Sequence, residues 1–309
     1  MRLGIGDDCA LLGFKEGEEV AITTDLSISG RHFRPEWHPP EAVGHRAIAR
    51  GLSDIAAMGA YPVAAFLSLG VPQLLTVARK GRDSWVDRFL SGLLALAEAH
   101  HTPLAGGDLA ESPLAIADIV LLGAVPRNKA LLRSGARPRD RIFVTGSLGG
   151  SAAGLALLAE RGARASRAAM NSRDGDSSLT RHLWPQPRIA QGMWLVRRHA
   201  ATAAIDLSDG LSTDLHHLCT ESGVSATIDA AALPIHPQAT LMQALHGGED
   251  YELLFTAKAT QNIPRSIAGV AVTQIGTITK KVSGAPSVTL ISETGIARPL
   301  LPRGWQHFS

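Results

Sequence analysis

The 309-residue sequence predicts an α/β (α+β) fold in two parts, on three observations. Short β-branched runs alternate with longer stretches of helical period, which marks mixed architecture rather than a sandwich or a helical bundle. The length is enough for two ordinary domains, each with its own core. A basic stretch, Arg127–Arg139, with Gly135 and Pro138 inside it, separates two segments that each run strand, helix, strand. Such a stretch reads as a boundary, and the expected division is 1–136 and 137–309.

Strands are expected where apolar and β-branched residues cluster, at Val20–Thr24, Val63–Leu69, Ala115–Val125, Arg141–Thr145, Ala203–Leu207, Ser225–Ile228 and Glu252–Thr256. Pro40 at a first-turn position, apolar residues at Val43, Ala47, Ile48, Leu52 and Ile55, and Gly59 as a stop describe one helix. Ser84–His100 is a second, with Val86, Phe89, Leu90, Leu93, Leu94 and Leu96 on one broad face. Further helices are expected at Gly149–Arg161, Pro187–His199 and Leu211–Ser222. Gly162–Arg181, rich in Arg, Ser, Asn and Asp, has neither period and reads as a surface loop. Val282–Ser309 reads as short strands and turns.

Hydrophobic residues make up 45% of the chain and charged residues 19%, values that exclude a largely disordered protein. The formal net charge is +2 and the arginines are scattered, so a small molecule is expected as partner rather than a nucleic acid. With no long apolar run and no charged-then-apolar leader, a soluble cytoplasmic protein away from the membrane is expected. Cys9 and Cys219 lie far apart among apolar neighbours and read as buried free thiols.

The position of the acids is the informative feature. Gly6-Asp7-Asp8, Thr23-Thr24-Asp25, Ser53-Asp54, Gly106-Gly107-Asp108 and Asp206-Leu207-Ser208-Asp209-Gly210 each set Asp beside Gly, Ser or Thr, mostly at a strand end. Singly, such corners are ordinary turn and capping residues, and Arg50, four residues before Asp54, offers a plain helical ion pair. Together, embedded in Ala-, Ile- and Leu-rich surroundings, they would be costly to bury unless they share hard divalent cations such as Mg²⁺, which take oxygen ligands. Val144–Gly154 runs from a strand through a Gly-rich turn into a helix and serves either as a phosphate cradle or as a tight crossover turn. It is neither a Walker A motif nor a clean dinucleotide fingerprint, and no H-R-D loop or D-F-G is present.

In order, Leu3–Leu12, Thr24-Asp25 with His32-Phe33, Leu52–Ala60, Gly106–Asp108, Arg133–Gly135, Ile205–Leu211, Gly247–Leu253 and Gly304–Phe308 resemble the thiamine-monophosphate kinase family of the aminoimidazole-ribonucleotide-synthetase-like ATP-binding superfamily, nearly end to end. The resemblance implies an N-terminal domain that dimerises through its sheet, a C-terminal α/β domain, and ATP with several Mg²⁺ ions in the cleft between them. It implies metal ligation by Asp8, Thr23, Thr24, Asp25, Asp54, Asp108, Asp206 and Asp209, nucleotide contacts from Gly107, Asp108, Arg133 and Ser208, and acceptor contacts from His32, Glu249 and Trp305. Asp54, Asp108 and Asp209 would be central to catalysis, with thiamine monophosphate as acceptor. An aromatic plane such as Trp305 suits a heteroaromatic ring, and Glu249 suits an aminopyrimidine. The rivals are aminoimidazole ribonucleotide synthetase and a non-catalytic metal- or nucleotide-binding relative. Leu26–Arg31 departs from the family pattern, and His100 stands where the family has a tyrosine.

Overall fold

The computed structural model describes the chain except residues 2–3, 6–8, 79–80, 82, 172–176, 286 and 306–309. The Gly6-Asp7-Asp8 corner and the end of the closing motif therefore lie outside the described residues. A four-stranded sheet comes first. It is built from β1 (Glu18–Ile28), β2 (Tyr61–Val71), β3 (Leu104–Glu111) and β4 (Ile116–Pro126) in the order β1-β4-β2-β3. β4 pairs antiparallel with both β1 and β2, and β3 adds to β2 in parallel. Two helices, α1 (Pro40–Ala57) and α2 (Trp85–Ala99), cover one face.

α1 starts on Pro40, whose fixed φ suits the first helical position. α2 starts on a capping box in which Ser84 and Asp87 satisfy each other's backbone N–H groups. The two helices touch backbone to backbone. A Cβ on Gly44 would meet the Phe89 carbonyl oxygen at 1.9 Å, and one on Gly92 would meet the Glu41 carbonyl oxygen at 1.9 Å. No other residue type fits at either position.

The second sheet holds eight strands. They are β5 (Arg141–Thr145), β6 (Ala203–Asp206), β7 (Ser225–Asp229), β8 (Leu253–Ala257), β9 (Ser266–Ile267), β10 (Val270–Thr279), β11 (Val288–Ile291) and β12 (Ala297–Pro299), with β9 attached to β10 beside the main path β12-β11-β7-β10-β5-β8-β6. Around it lie α3 (Gly150–Arg161), α4 (Ala163–Asn171), α5 (Ser178–Leu183), α6 (Ile189–Arg197), α7 (Leu211–Ser222) and α8 (Leu241–His246).

α1 is the keystone between the two sheets. It packs on β1, β2 and β4 on one side and on α6 and β6 on the other, and Phe143, Ala204, Leu253 and Phe255 of the second sheet join the core that contains Ile48, Leu52 and Leu121. That explains why so nearly all of α1 is buried, the pattern of a core helix rather than a surface one. Among the described residues no helix is long and apolar enough to cross a membrane.

Most expected strands and helices coincide with observed ones to within a residue or two. Three expectations need correction. Gly162–Arg181 contains α4 and the start of α5 rather than plain loop. Cys9 is exposed, so only Cys219 is a buried thiol. β3 was not expected because Gly106, Gly107 and Asp108 are poor strand formers. Parallel pairing with β2, at Leu67↔Gly107 and Ser68↔Asp108, overrides that preference.

Candidate active site

Arg46, Arg50 and Asp54 recur every four residues and so form one stripe along α1. β1 faces that stripe with alternate side chains. Thr23 donates a hydrogen bond to the Asp54 carboxylate, Asp25 forms an ion pair with Arg50 at 2.7 Å, and the Ser27 hydroxyl accepts from Arg50 at 3.3 Å. The strand's period of two brings Thr23, Asp25 and Ser27 to the helix, while Thr24 between them is exposed. Arg50 thus serves Asp25, not the helical pair with Asp54 that its spacing suggested.

From the second sheet, β6 delivers Asp206 at its C-terminal end, where it accepts a 2.7 Å hydrogen bond from Ser53 of α1. Ser208 and Asp209 follow in the turn before α7. The chain end crosses this turn closely: Gly304 leaves no room for a Cβ, which would lie 2.0 Å from the Asp209 carbonyl oxygen, and the Trp305 N–H donates to that same oxygen. The Trp305 ring is thereby held over the cavity, with the Arg31 guanidinium 4.8 Å from its centroid and His32 beside it at 6.4 Å. The 247–252 loop carries Glu249 and Tyr251, both non-glycine residues at positive φ (65° and 50°). Such strain persists only where the surroundings enforce it.

These segments enclose a cavity of about 830 Å³ lined by Thr24, Asp25, Asp54, Asp206, Ser208, Asp209, His32, Glu249 and Trp305 among others. Its two ends differ in charge. At one end burial pushes Asp25 up to about 6, with Arg50 opposing and Asp54 and Glu249 adding to the rise. Burial likewise pushes Asp206 up to about 7, reinforced by Asp54 and Asp25 and opposed by the Ser53 hydrogen bond and by Arg133. Asp54 is raised too, by burial, against the pull of Thr23, Arg133 and Arg50. At the other end burial alone would raise Glu249, but the guanidinium groups of Arg46 and Arg50 outweigh it and hold the carboxyl below its usual range.

Oxygen-only donors that repel one another are the donor set a hard divalent cation prefers. Among the described residues no group of three His, Cys, Asp or Glu side chains makes a ready-formed metal cluster. Mg²⁺ is usually held by one or two carboxylates and completes its shell with water and substrate phosphates.

Not every expected residue reaches the cavity. Gly107 and Asp108 sit exposed on β3, an edge strand, where Asp108 accepts a 2.8 Å hydrogen bond from the Leu109 N–H; neither lines the cavity. Gly107 at φ 151° approaches so near that a Cβ would lie 1.9 Å from the Leu67 carbonyl oxygen. Arg133 is exposed and off the lining, yet its charge is felt by Asp54 and Asp206. Thr23 acts through Asp54, and Asp8 lies outside the described residues.

The Gly-rich turn is the tight-crossover alternative. Asp250 plugs the start of α3, accepting from the Gly149 N–H at 2.6 Å and the Ser151 N–H at 3.2 Å, so the donors a phosphate would use are taken. Beneath it, Glu252 is fully buried and is held by Arg188, Arg181 and Thr145. Sequence reasoning did not find Arg46, His38 and His182, which gather around Glu249. The one available signal was the Arg46 charge beside Ala47 and Ile48 of α1; His38 and His182 lie outside that helix.

Fold and site define the class. Two family models match in succession, the AIR synthase related protein N-terminal domain at residues 6–125 and the AIR synthase related protein C-terminal domain at residues 137–288. The chain is 41% identical over 296 residues to the thiamine-monophosphate kinase of Escherichia coli K12, spanning 92% of this chain and 86% of that one. It is 32% identical over 317 residues to that of Bacillus subtilis, spanning 99% and 93%. A crystal structure of thiamine-monophosphate kinase from Stenotrophomonas maltophilia superposes with a TM-score of 0.80 at 36% identity, covering 93% of this chain and 90% of that one. AaThiL complexed with AMPPCP and TMP superposes with a TM-score of 0.78 at 32% identity, covering 98% and 92%. The chain belongs to the AIR synthase related family and, within it, to the thiamine-monophosphate kinases.

Proposed function

We propose that this chain transfers the γ-phosphate of ATP to thiamine monophosphate, giving thiamine diphosphate and ADP. The observation that carries this reading is the convergence of Asp25, Asp54, Asp206 and Asp209 with His32, Glu249 and Trp305 in one cavity. An acceptor phosphate oxygen attacks the γ-phosphorus in line as the bond to the β,γ-bridging oxygen breaks. No general base is required, because a phosphate monoester has its second pKa near 6. Burial and the Arg46 charge lower His38 to about 4 and hold His182 well below its usual range, which makes both imidazoles weak bases.

The obstacle is repulsion between two polyanions, which positioning and cations overcome. Thr24, Asp25, Asp54, Asp206 and Asp209, which line the cavity, would hold Mg²⁺, whose charge, when bound, screens the phosphates and stabilises the transferring group. Ser208 would contact the nucleotide, with Asp54 and Asp209 the acids nearest the chemistry, whereas Gly107, Asp108 and Arg133, expected at the nucleotide, lie off the cavity lining. Trp305 would stack on the acceptor's heteroaromatic ring, and Glu249, kept ionised, would accept from its amino group, with His32 beside them. Arg50 holds Asp25 in place.

The two-domain division at 136/137 and a cytoplasmic location are part of the same reading. So is a homodimer, for which Val20, Ile22, Leu26 and Leu109 supply exposed apolar side chains on the four-stranded sheet. The test is direct: the purified chain with ATP, MgCl₂ and thiamine monophosphate, read by mass for thiamine diphosphate. Absence of that product, or turnover only of an aminoimidazole precursor, would overturn the proposal.

A further inference from the structure

Arg46 is 4% exposed and reaches three segments at once. Its Nη2 donates to Glu249 Oε1 at 2.7 Å and, more weakly, to the His32 carbonyl at 3.4 Å. Its Nη1 donates to the His182 carbonyl at 2.8 Å and lies 2.9 Å from His182 Nε2. The His182 ring is fixed from other sides by Ser151 Oγ at 3.0 Å and by His38 Nε2 at 3.1 Å, and it lies 3.7 Å from Glu249 Oε2. A planar guanidinium with several donors can bridge partners in this way, whereas an ammonium is a point charge.

Two of the three segments so tied carry proposed acceptor contacts, and they come from opposite sides of the cleft: His32 follows β1, and Glu249 precedes β8. Glu249 sits at positive φ, where a free loop would not keep it. We propose that Arg46 is a positioning residue for the acceptor, fixing the Glu249 carboxylate relative to His32, with His182 and His38 as the wall that orients the guanidinium. The inference rests on the reading of Glu249 and His32 as acceptor contacts.

The experiment is a double-mutant cycle on the full chain with Arg46→Lys and Glu249→Gln, singly and together, measuring KM for ATP and for thiamine monophosphate separately, kcat, and the melting temperature. Arg46→Lys should raise the acceptor KM by about tenfold, the scale of losing an outer-shell support, with the ATP KM essentially unchanged. The double variant should be no worse than the worse single variant, because Arg46 acts through Glu249. An equal rise in both KM values, additive effects, or a lowered melt with both KM values unchanged would each overturn the proposal. Should Arg46→Lys not fold, His182→Gln keeps both charges and must show the same acceptor-selective rise; its absence is equally decisive. If the wild-type chain makes no thiamine diphosphate, the functional reading fails with this one, a result visible before any variant is made.

Discussion

The two ends of the cavity solve opposite problems with the same residue type. Asp25, Asp54 and Asp206 are pushed up chiefly by burial, with Asp54 adding to the rise of the other two, and the charges of Arg50 and Arg133 offset only part of it. Glu249, on the 247–252 loop, is held below its usual range by Arg46 and Arg50 despite burial. On the proposed function, the first end would be completed by cations that arrive with the substrates. The second is already balanced within the protein and presents a fixed anion. A single helix, α1, supplies the decisive residues to both, Asp54 to the first and Arg46 to the second.

The comparison breaks most sharply at Asp54. Asp54→Asn should lower kcat by about a hundredfold to a thousandfold, the scale of losing one electrostatic anchor of a transition state. Because the lost charge is a repelled one, the circular-dichroism melt should hold or rise; retained turnover would remove Asp54 from the metal-binding end. Asp209→Asn should behave alike in turnover.

At the acceptor end, Trp305→Ala should raise KM for thiamine monophosphate by about tenfold, as expected for one lost stacking contact of 1–3 kcal/mol, with a much smaller change for ATP. Equal effects would make Trp305 a structural aromatic. Saturating MgCl₂ with AMPPCP should raise the melting temperature by about 5 °C, the sum expected when a ligand at a hundred times its Kd binds only the folded state. Asp54→Asn should lose most of that rise.

The smallest expected effect is on pH dependence, and its sign follows from the shifts. Raised carboxyl pKa values add stability that is complete below the unfolded value of 3.8 and is lost as pH climbs through the folded values, about 7 for Asp206 and Asp250 and about 8 for Asp214. The lowered histidines, His38 and His45 at about 4 and His182, act the other way, adding stability as pH rises toward their unfolded 6.5. Above 6.5 the histidine contribution is constant, so in metal-free buffer the melting temperature should fall between pH 6.5 and 8. A flat or rising melt there would mean that the acids are not crowded as described.

The sequence reveals the first end of the cavity better than the second, for a physical reason. Acids at strand ends beside Gly, Ser and Thr leave a local pattern, and Asp25, Asp54, Asp206 and Asp209 do share one cavity. The second end is assembled from residues 32, 38, 46, 182 and 249, each inside a segment with an adequate local explanation, so no window of sequence contains the cluster. Asp108 illustrates the limit in the other direction: its Gly-Gly-Asp motif is plain, yet within one chain it lies on an exposed sheet edge. Asp250 illustrates another, since a glycine-rich helix start looks the same whether its N–H groups await a phosphate or have been claimed by a carboxylate a hundred residues later.

The reciprocal glycines of α1 and α2 set the height at which α1 rides between the sheets. A methyl group at Gly44, on the side of the helix turned away from the cleft, would have to lift the whole rod off Phe89. Arg46, Arg50 and Asp54 would travel with it as one piece. Nucleotide and acceptor would then loosen in step, a symmetric fault unlike any produced by altering a single end, and a reason for the buried helix crossing to be as intolerant of change as the substrate contacts themselves.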